Sequence, residues 1–139
     1  MKAAVVYWSG TGNTKMMAEI LEGALKKRGA EVSLAEASSF SASDASSYDV
    51  FAFGCPAMGS ETLEEDEFEP MFSSLEGSLS GKKVALFGSY GWGDGEWMRD
   101  WEERTKADGA VVVGTVICNG EPDSASEADL DTIGGALVE

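Results

Sequence analysis

The segment Lys2 to Thr14 limits what this chain can fold into more than any other stretch. In it the run Ala3-Ala4-Val5-Val6-Tyr7-Trp8 opens directly into Ser9-Gly10-Thr11-Gly12-Asn13-Thr14. A short, uninterrupted apolar run ending in β-branched and aromatic residues predicts a strand buried on both faces, as in a parallel sheet. Beyond the hexamer, Met17, Ile20, Leu21, Ala24 and Leu25 recur at the spacing of an amphipathic helix. A Gly-rich turn at a helix N-terminus presents unpaired backbone N–H groups and the positive end of the helix dipole, and so suits a phosphate. A plainer reading of the same hexamer is a polar turn with Thr14 as the helix N-cap.

What the hexamer lacks narrows the ligand. A nucleoside triphosphate loop of the Walker type needs a lysine after the second glycine, where this chain has Asn13 and Thr14. The Gly-x-Gly-x-x-Gly spacing of a dinucleotide turn is missing too. The hydroxyls of Ser9, Thr11 and Thr14 and the Asn13 amide can instead wrap a terminal monophosphate with neutral donors, no base lying between residues 9 and 14.

Further on, Lys26-Lys27-Arg28-Gly29 reads as the end of the first helix, with cations on its carbonyl end and a glycine cap. Glu31 to Glu36 is a second, weaker strand. Ala37 to Tyr48, rich in Ser and Ala, has room for at most a short helix. Asp49 to Cys55 is a third strand ending at Pro56. A loop to Asp66 leads to a helix whose apolar face is Phe68, Met71, Phe72, Leu75 and Leu79, with Pro70 near its first turn. Val84 to Ser89 is a fourth strand, and Tyr90 to Gly95 is too glycine-rich for regular structure. A helix starting with Trp97, Met98 and Trp101, a fifth strand from Ala110 to Cys118 and a last helix from Asp123 to Leu137 complete the chain.

Five buried strands alternating with helices predict an α/β fold, a doubly wound parallel sheet in the order 2-1-3-4-5 with helices on both faces. Ligands of such sheets bind outside the carboxyl ends of the strands, at the switch point between strands 1 and 3. The three glycine-bearing loops after strands 1, 3 and 4 lie at that end. No linker or repeat divides residues 1 to 139, so one domain is expected.

The formal charge of −15 disfavours nucleic acid and anionic membrane as partners. With no histidine, imidazole catalysis and histidine metal sites are excluded. Cys55 and Cys118 sit inside apolar strands and read as buried free thiols of a reducing compartment. The first apolar run is too short for a signal peptide or a membrane span, so a cytoplasmic protein is expected. Trp92, set between glycines, is costly to leave in water, so either a planar ligand stacks on it or it folds back onto the sheet edge.

Ser9-Gly10-Thr11-Gly12-Asn13-Thr14, Ala57-Met58-Gly59-Ser60-Glu61 and Gly88-Ser89-Tyr90-Gly91-Trp92-Gly93-Asp94-Gly95 occur together and in order. With these three motifs in register, the chain resembles the short-chain flavodoxins over essentially its whole length. The resemblance implies non-covalent flavin mononucleotide (FMN), its phosphate held by Ser9, Gly10, Thr11, Gly12, Asn13 and Thr14. The isoalloxazine would lie between Met58 and Trp92, beside Pro56, Ala57 and Ser89. Glu61 would meet the N3 edge, backbone N–H groups of Tyr90, Gly91, Trp92 and Gly93 the N1 and O2 side, and Gly59 the N5 position. The Gly59-Ser60 peptide would turn with redox state, glycine allowing a positive φ there. Pro56 offers no hydroxyl to the phosphate, and Ser60 stands where some relatives carry an acid.

The function so implied is that of a low-potential one-electron carrier cycling between semiquinone and hydroquinone. It would be a monomer serving redox partner proteins with basic docking surfaces, because residues 61 to 69 alone hold six acids. An FMN-dependent quinone or nitro reductase is the alternative, and it would need free space over the flavin. A receiver domain would need aspartates at strand 1 and a lysine after strand 5, and a low-molecular-weight phosphatase a Cys-x5-Arg motif. The chain has none of these.

Overall fold

The computed structural model describes residues 1–139. Five parallel strands, β1 (Lys2–Tyr7), β2 (Glu31–Glu36), β3 (Val50–Gly54), β4 (Lys83–Tyr90) and β5 (Val111–Asn119), form one sheet in the order β2-β1-β3-β4-β5. Three helices connect strands, α1 (Asn13–Lys26), α2 (Phe68–Leu75) and α3 (Glu96–Ala107), and a fourth, α4 (Ser124–Leu137), follows β5. The stretch between β2 and β3 holds two short 3₁₀ turns, Ala37–Ser39 and Ala42–Ser47. No helix is long and apolar enough to cross a membrane.

Alternation of side chains divides the core in two. Ala4, Val6, Phe51, Phe53, Val84 and Leu86 point to one face and meet Phe68, Phe72, Trp97 and Trp101 of α2 and α3. Ala3, Val5, Ala52, Ala85 and Phe87 point to the other and meet Met17 and Leu21 of α1 and Leu130 and Ile133 of α4. A strand covered on both faces needs no polar alternation, which is why β1, β3 and β4 read as continuous apolar runs. The expectation of five buried strands fails at the sheet edges. β2 alternates between exposed and half-buried, and β5 is fully buried only at Val116 and Cys118, because each has a neighbour on one side only.

α2 is shorter than its apolar face suggested. It ends at Leu75 and tightens into a 3₁₀ turn over Glu76–Ser78, so Leu79 is buried from outside the helix. Its start is fixed by Glu64, a residue with 5 % of its surface exposed whose carboxylate accepts the N–H groups of Asp66, Glu67 and Phe68, each at 2.8 Å. Burial opposes the charge of Glu64, but those three bonds outweigh it and hold its carboxyl below the usual range. The register aligns Tyr7 with Glu36 and Gly54, and Gly54 with Phe87. The loops after β1, β3 and β4 therefore leave the sheet side by side.

Candidate functional site

The loop after β1 is folded by its own first hydroxyl: Ser9 Oγ accepts the N–H of Gly12 at 3.0 Å and that of Lys15 at 3.3 Å. Gly12, with φ of +100°, is the N-cap of α1. A side chain there would cost about 1–2 kcal/mol, so glycine sets the entry angle of the helix. Thr14 is thus inside the helix and not its N-cap. It is buried, with Oγ1 3.3 Å from Ser89 Oγ and accepting the Ser89 N–H at 3.4 Å. The N–H groups of Gly10, Thr11, Asn13 and Thr14 have no acceptor within the chain. Four unpaired donors at the positive end of a 14-residue helix make an anion nest.

The loop after β3 continues along β4 before turning away. Cys55 N–H reaches Phe87 O at 3.0 Å and Ala57 N–H reaches Ser89 O at 3.1 Å. It then reverses, with Glu61 N–H donating to Met58 O at 2.8 Å and Met58 N–H to Thr62 O at 3.0 Å. The positive φ in this turn, +52°, falls on Glu61. Gly59 has no positive φ in this state, and the space where a Cβ would stand is open.

Beyond β4, the N–H groups of Gly91, Trp92 and Gly93 have no acceptor in the chain, whereas Tyr90 O accepts Gly120 N–H at 3.0 Å. Asp94 fastens this loop. Its N–H donates to Glu61 Oε1 at 3.2 Å, and Arg99 donates to its carbonyl and to its carboxylate, both at 3.0 Å. The Glu61 carboxylate lies directly against Gly93, where a Cβ would collide with it. Trp92 is 62 % exposed, so it does not fold back onto the sheet edge.

Between the three loops lies a cleft of about 310 Å³. Of the residues singled out in the sequence, Gly10, Thr11, Asn13, Pro56, Ala57, Met58, Ser89, Tyr90 and Gly91 line it. Ser9, Gly12, Thr14, Gly59, Ser60, Glu61, Trp92 and Gly93 do not line the cleft; of these, Ser9, Thr14 and Glu61 fasten the loops that do through their hydrogen bonds. Trp8 and Gly120 line it and were missed. Both end strands at the carboxyl edge, a position that could have marked them. The lining joins a neutral nest to the apolar surfaces of Trp8, Met58 and Tyr90, which fits an anionic group carried by a flat apolar one.

No thiol is poised for chemistry near this site. Burial pushes the Cys55 thiol up to about 12, and burial with the nearby Asp123 carboxylate also raises that of Cys118. Both are buried and unbridged, hence inert as nucleophiles.

The family model described as Flavodoxin matches residues 5–133. Flavodoxin from Megasphaera elsdenii is 54% identical over 123 residues, covering 88% of this chain and 90% of that protein. Flavodoxin from Clostridium beijerinckii is 50% identical over 124 residues, again covering 88% and 90%. The solution structure of two-electron reduced Megasphaera elsdenii flavodoxin matches this fold with a TM-score of 0.90 at 50% identity, covering 97% of both chains.

Proposed function

The chain belongs to the flavodoxin family, and on that premise we infer how it works as an FMN-binding electron carrier. It is an electron-transfer flavoprotein and not an enzyme. Bound FMN supplies the redox chemistry, and the protein supplies binding, orientation and electrostatics. The observation that carries the assignment of the site is the nest: four backbone N–H groups without an acceptor, at a helix N-terminus, beside an apolar cleft.

In this reading Gly10, Thr11, Asn13 and Thr14 donate N–H groups to the phosphate, Ser9 and Gly12 shape the loop, and Thr11 and Asn13 add side-chain donors. Met58 on the cleft wall and the exposed Trp92 would cover a bound ring, which disfavours the reductase alternative. Glu61 would accept from the polar edge of the ring, and the free N–H groups of Gly91, Trp92 and Gly93 would donate to it. A neutral nest and a chain of charge −15 would leave added negative charge on a bound ring poorly compensated, which would lower its reduction potential. The chain acts as a single FMN-binding domain over residues 1–139, as a cytoplasmic monomer. Its partners dock basic surfaces against the acids that flank the 58–61 turn.

Titrating the apoprotein with FMN, FAD and riboflavin tests the assignment. We expect one FMN per chain and a clear preference for FMN, because the nest recognises a terminal phosphate. Equal affinity for riboflavin would remove the phosphate from the loop. Mixing the holoprotein with NADH or NADPH and following flavin absorbance separates carrier from reductase; rapid direct reduction would favour the reductase.

A further inference from the structure

Trp8 stands between the nest and α2. Its backbone N–H is paired with Gly54 O at 2.9 Å, and its half-buried indole lies across Gly10, where a Cβ would stand 3.2 Å from Cη2 and 3.3 Å from Cζ3. The opposite side of the ring is held: Trp8 Nε1–H donates to Glu67 Oε1 at 3.0 Å. Glu67 is itself the N-cap of α2, and its backbone N–H is paired with the buried Glu64 carboxylate at 2.8 Å. A line of contacts therefore runs from the capped start of α2 through the Glu67 carboxylate and the Trp8 indole to Gly10. Trp8 also lines both the main cleft and a smaller one of about 100 Å³ that Glu67 shares. An indole freed from Glu67 would have space on either side in which to swing.

We propose that Glu67 is a positioning residue for the phosphate nest. It acts through Trp8, whose clamped indole keeps Gly10 and the neighbouring N–H groups aimed at a terminal phosphate. A carboxylate near an anion site is otherwise unexpected, since its charge opposes the ligand. Here the indole separates Glu67 from Gly10, and Glu67 is exposed, so water screens that charge while the hydrogen bond retains its directional effect.

The inference rests on the phosphate reading of residues 9 to 14, so wild-type apoprotein is titrated first with FMN and with riboflavin; equal affinities would overturn that reading. Glu67→Ala and Glu67→Gln are then compared. Glutamine keeps an oxygen acceptor and removes the charge, so Glu67→Gln should bind FMN at least as well as wild type. Glu67→Ala should weaken FMN about threefold to tenfold, the worth of one net hydrogen bond, while riboflavin affinity changes by less than about twofold. Trp8→Phe keeps the ring without the donor and should show the same selective loss, with no further loss when combined with Glu67→Ala. Equal FMN affinity for Glu67→Ala and Glu67→Gln overturns the proposal, as does a loss shared equally by riboflavin. Glu67 is exposed and the test reads a ratio of two affinities, so a small change in overall stability does not imitate the effect.

Discussion

At Thr14 a single buried hydroxyl joins the start of α1 to the end of β4, 75 residues away in the chain, by pairing with both Oγ and N–H of Ser89. Valine has nearly the same shape but no acceptor, so Thr14→Val keeps the packing and strands a buried N–H. That loss costs about 1–3 kcal/mol, and we expect urea unfolding of the apoprotein to register it as a lower midpoint with an unchanged slope. Thr14→Ser, which retains the hydroxyl, should recover most of the difference. From the sequence alone Thr14 is one of four hydroxyl or amide residues in the hexamer, all alike as candidate phosphate donors. Its inward turn depends on where Ser89 lies, and only the packing of α1 against β4 brings the two together.

α2 is the element least able to stand alone. Eight residues with a proline among them fall well below the length at which an isolated helix is stable in water. Besides the Glu64 cap, it is tied to α3 by Arg104, which donates to Glu69 at 2.8 and 2.7 Å and to Glu76 at 2.9 and 2.7 Å. The same guanidinium lies over the Phe72 ring at 5.0 Å. Hydrogen bonds from Arg104 hold the Glu69 and Glu76 carboxyls below their usual range. Asp108, at the C-cap of α3, moves the other way. Burial first, then hydrogen bonding to the Glu76 carboxyl and its charge, raise its pKa to about 6, against the attraction of Arg104. One Asp108 oxygen is buried without a partner. A carboxyl raised on folding adds stability below its unfolded pKa near 3.8 and loses it as pH rises through about 6. Asp108→Asn removes that dependence. We expect the variant to gain on the order of 1 kcal/mol over wild type at pH 8, after allowance for solvent screening, with the gain shrinking towards pH 4. Urea unfolding at several pH values checks it, and a gain that does not vary with pH would refute the assignment.

Across the whole molecule the charge is unevenly spread. Lys2, Lys82 and Lys83 stand at the amino ends of β1 and β4, and Lys26, Lys27 and Arg28 at the far end of α1, so six of the ten bases lie away from the cleft. Glu61, Glu64, Glu65, Asp66, Glu67 and Glu69 end or follow the 58–61 turn in sequence, in a stretch from residue 29 to 81 without a single base, although Glu64 is buried and Glu69 is paired with Arg104. In the proposed reading such a field would draw cationic partners towards the cleft. Electron-transfer rates with a cationic acceptor should fall by at least about tenfold between low salt and physiological ionic strength, where the Debye length is roughly 8 Å. Stopped-flow rates against ionic strength test this, and a flat dependence would leave the acids a solubilising role only.

The chain by itself determined the alternation of strands and helices, buried at β1, β3 and β4, the 2-1-3-4-5 order and the glycine-bearing loops of the candidate site. These depend on local patterns: apolar runs of strand length, helical periodicity, and glycines where the backbone must turn. The tertiary structure alone decided how the residues of those loops divide their work. Ser89 and Thr14, Glu67 and Trp8, and Glu61 and Asp94 are pairs 75, 59 and 33 residues apart. Trp8 and Gly120 joined the cleft because parallel register brings the ends of β1 and β5 to the same edge. A hydroxyl, indole or carboxylate carries no mark in sequence of the partner it will meet. Its role is settled only when folding brings that partner within hydrogen-bond reach and removes the water that would otherwise compete.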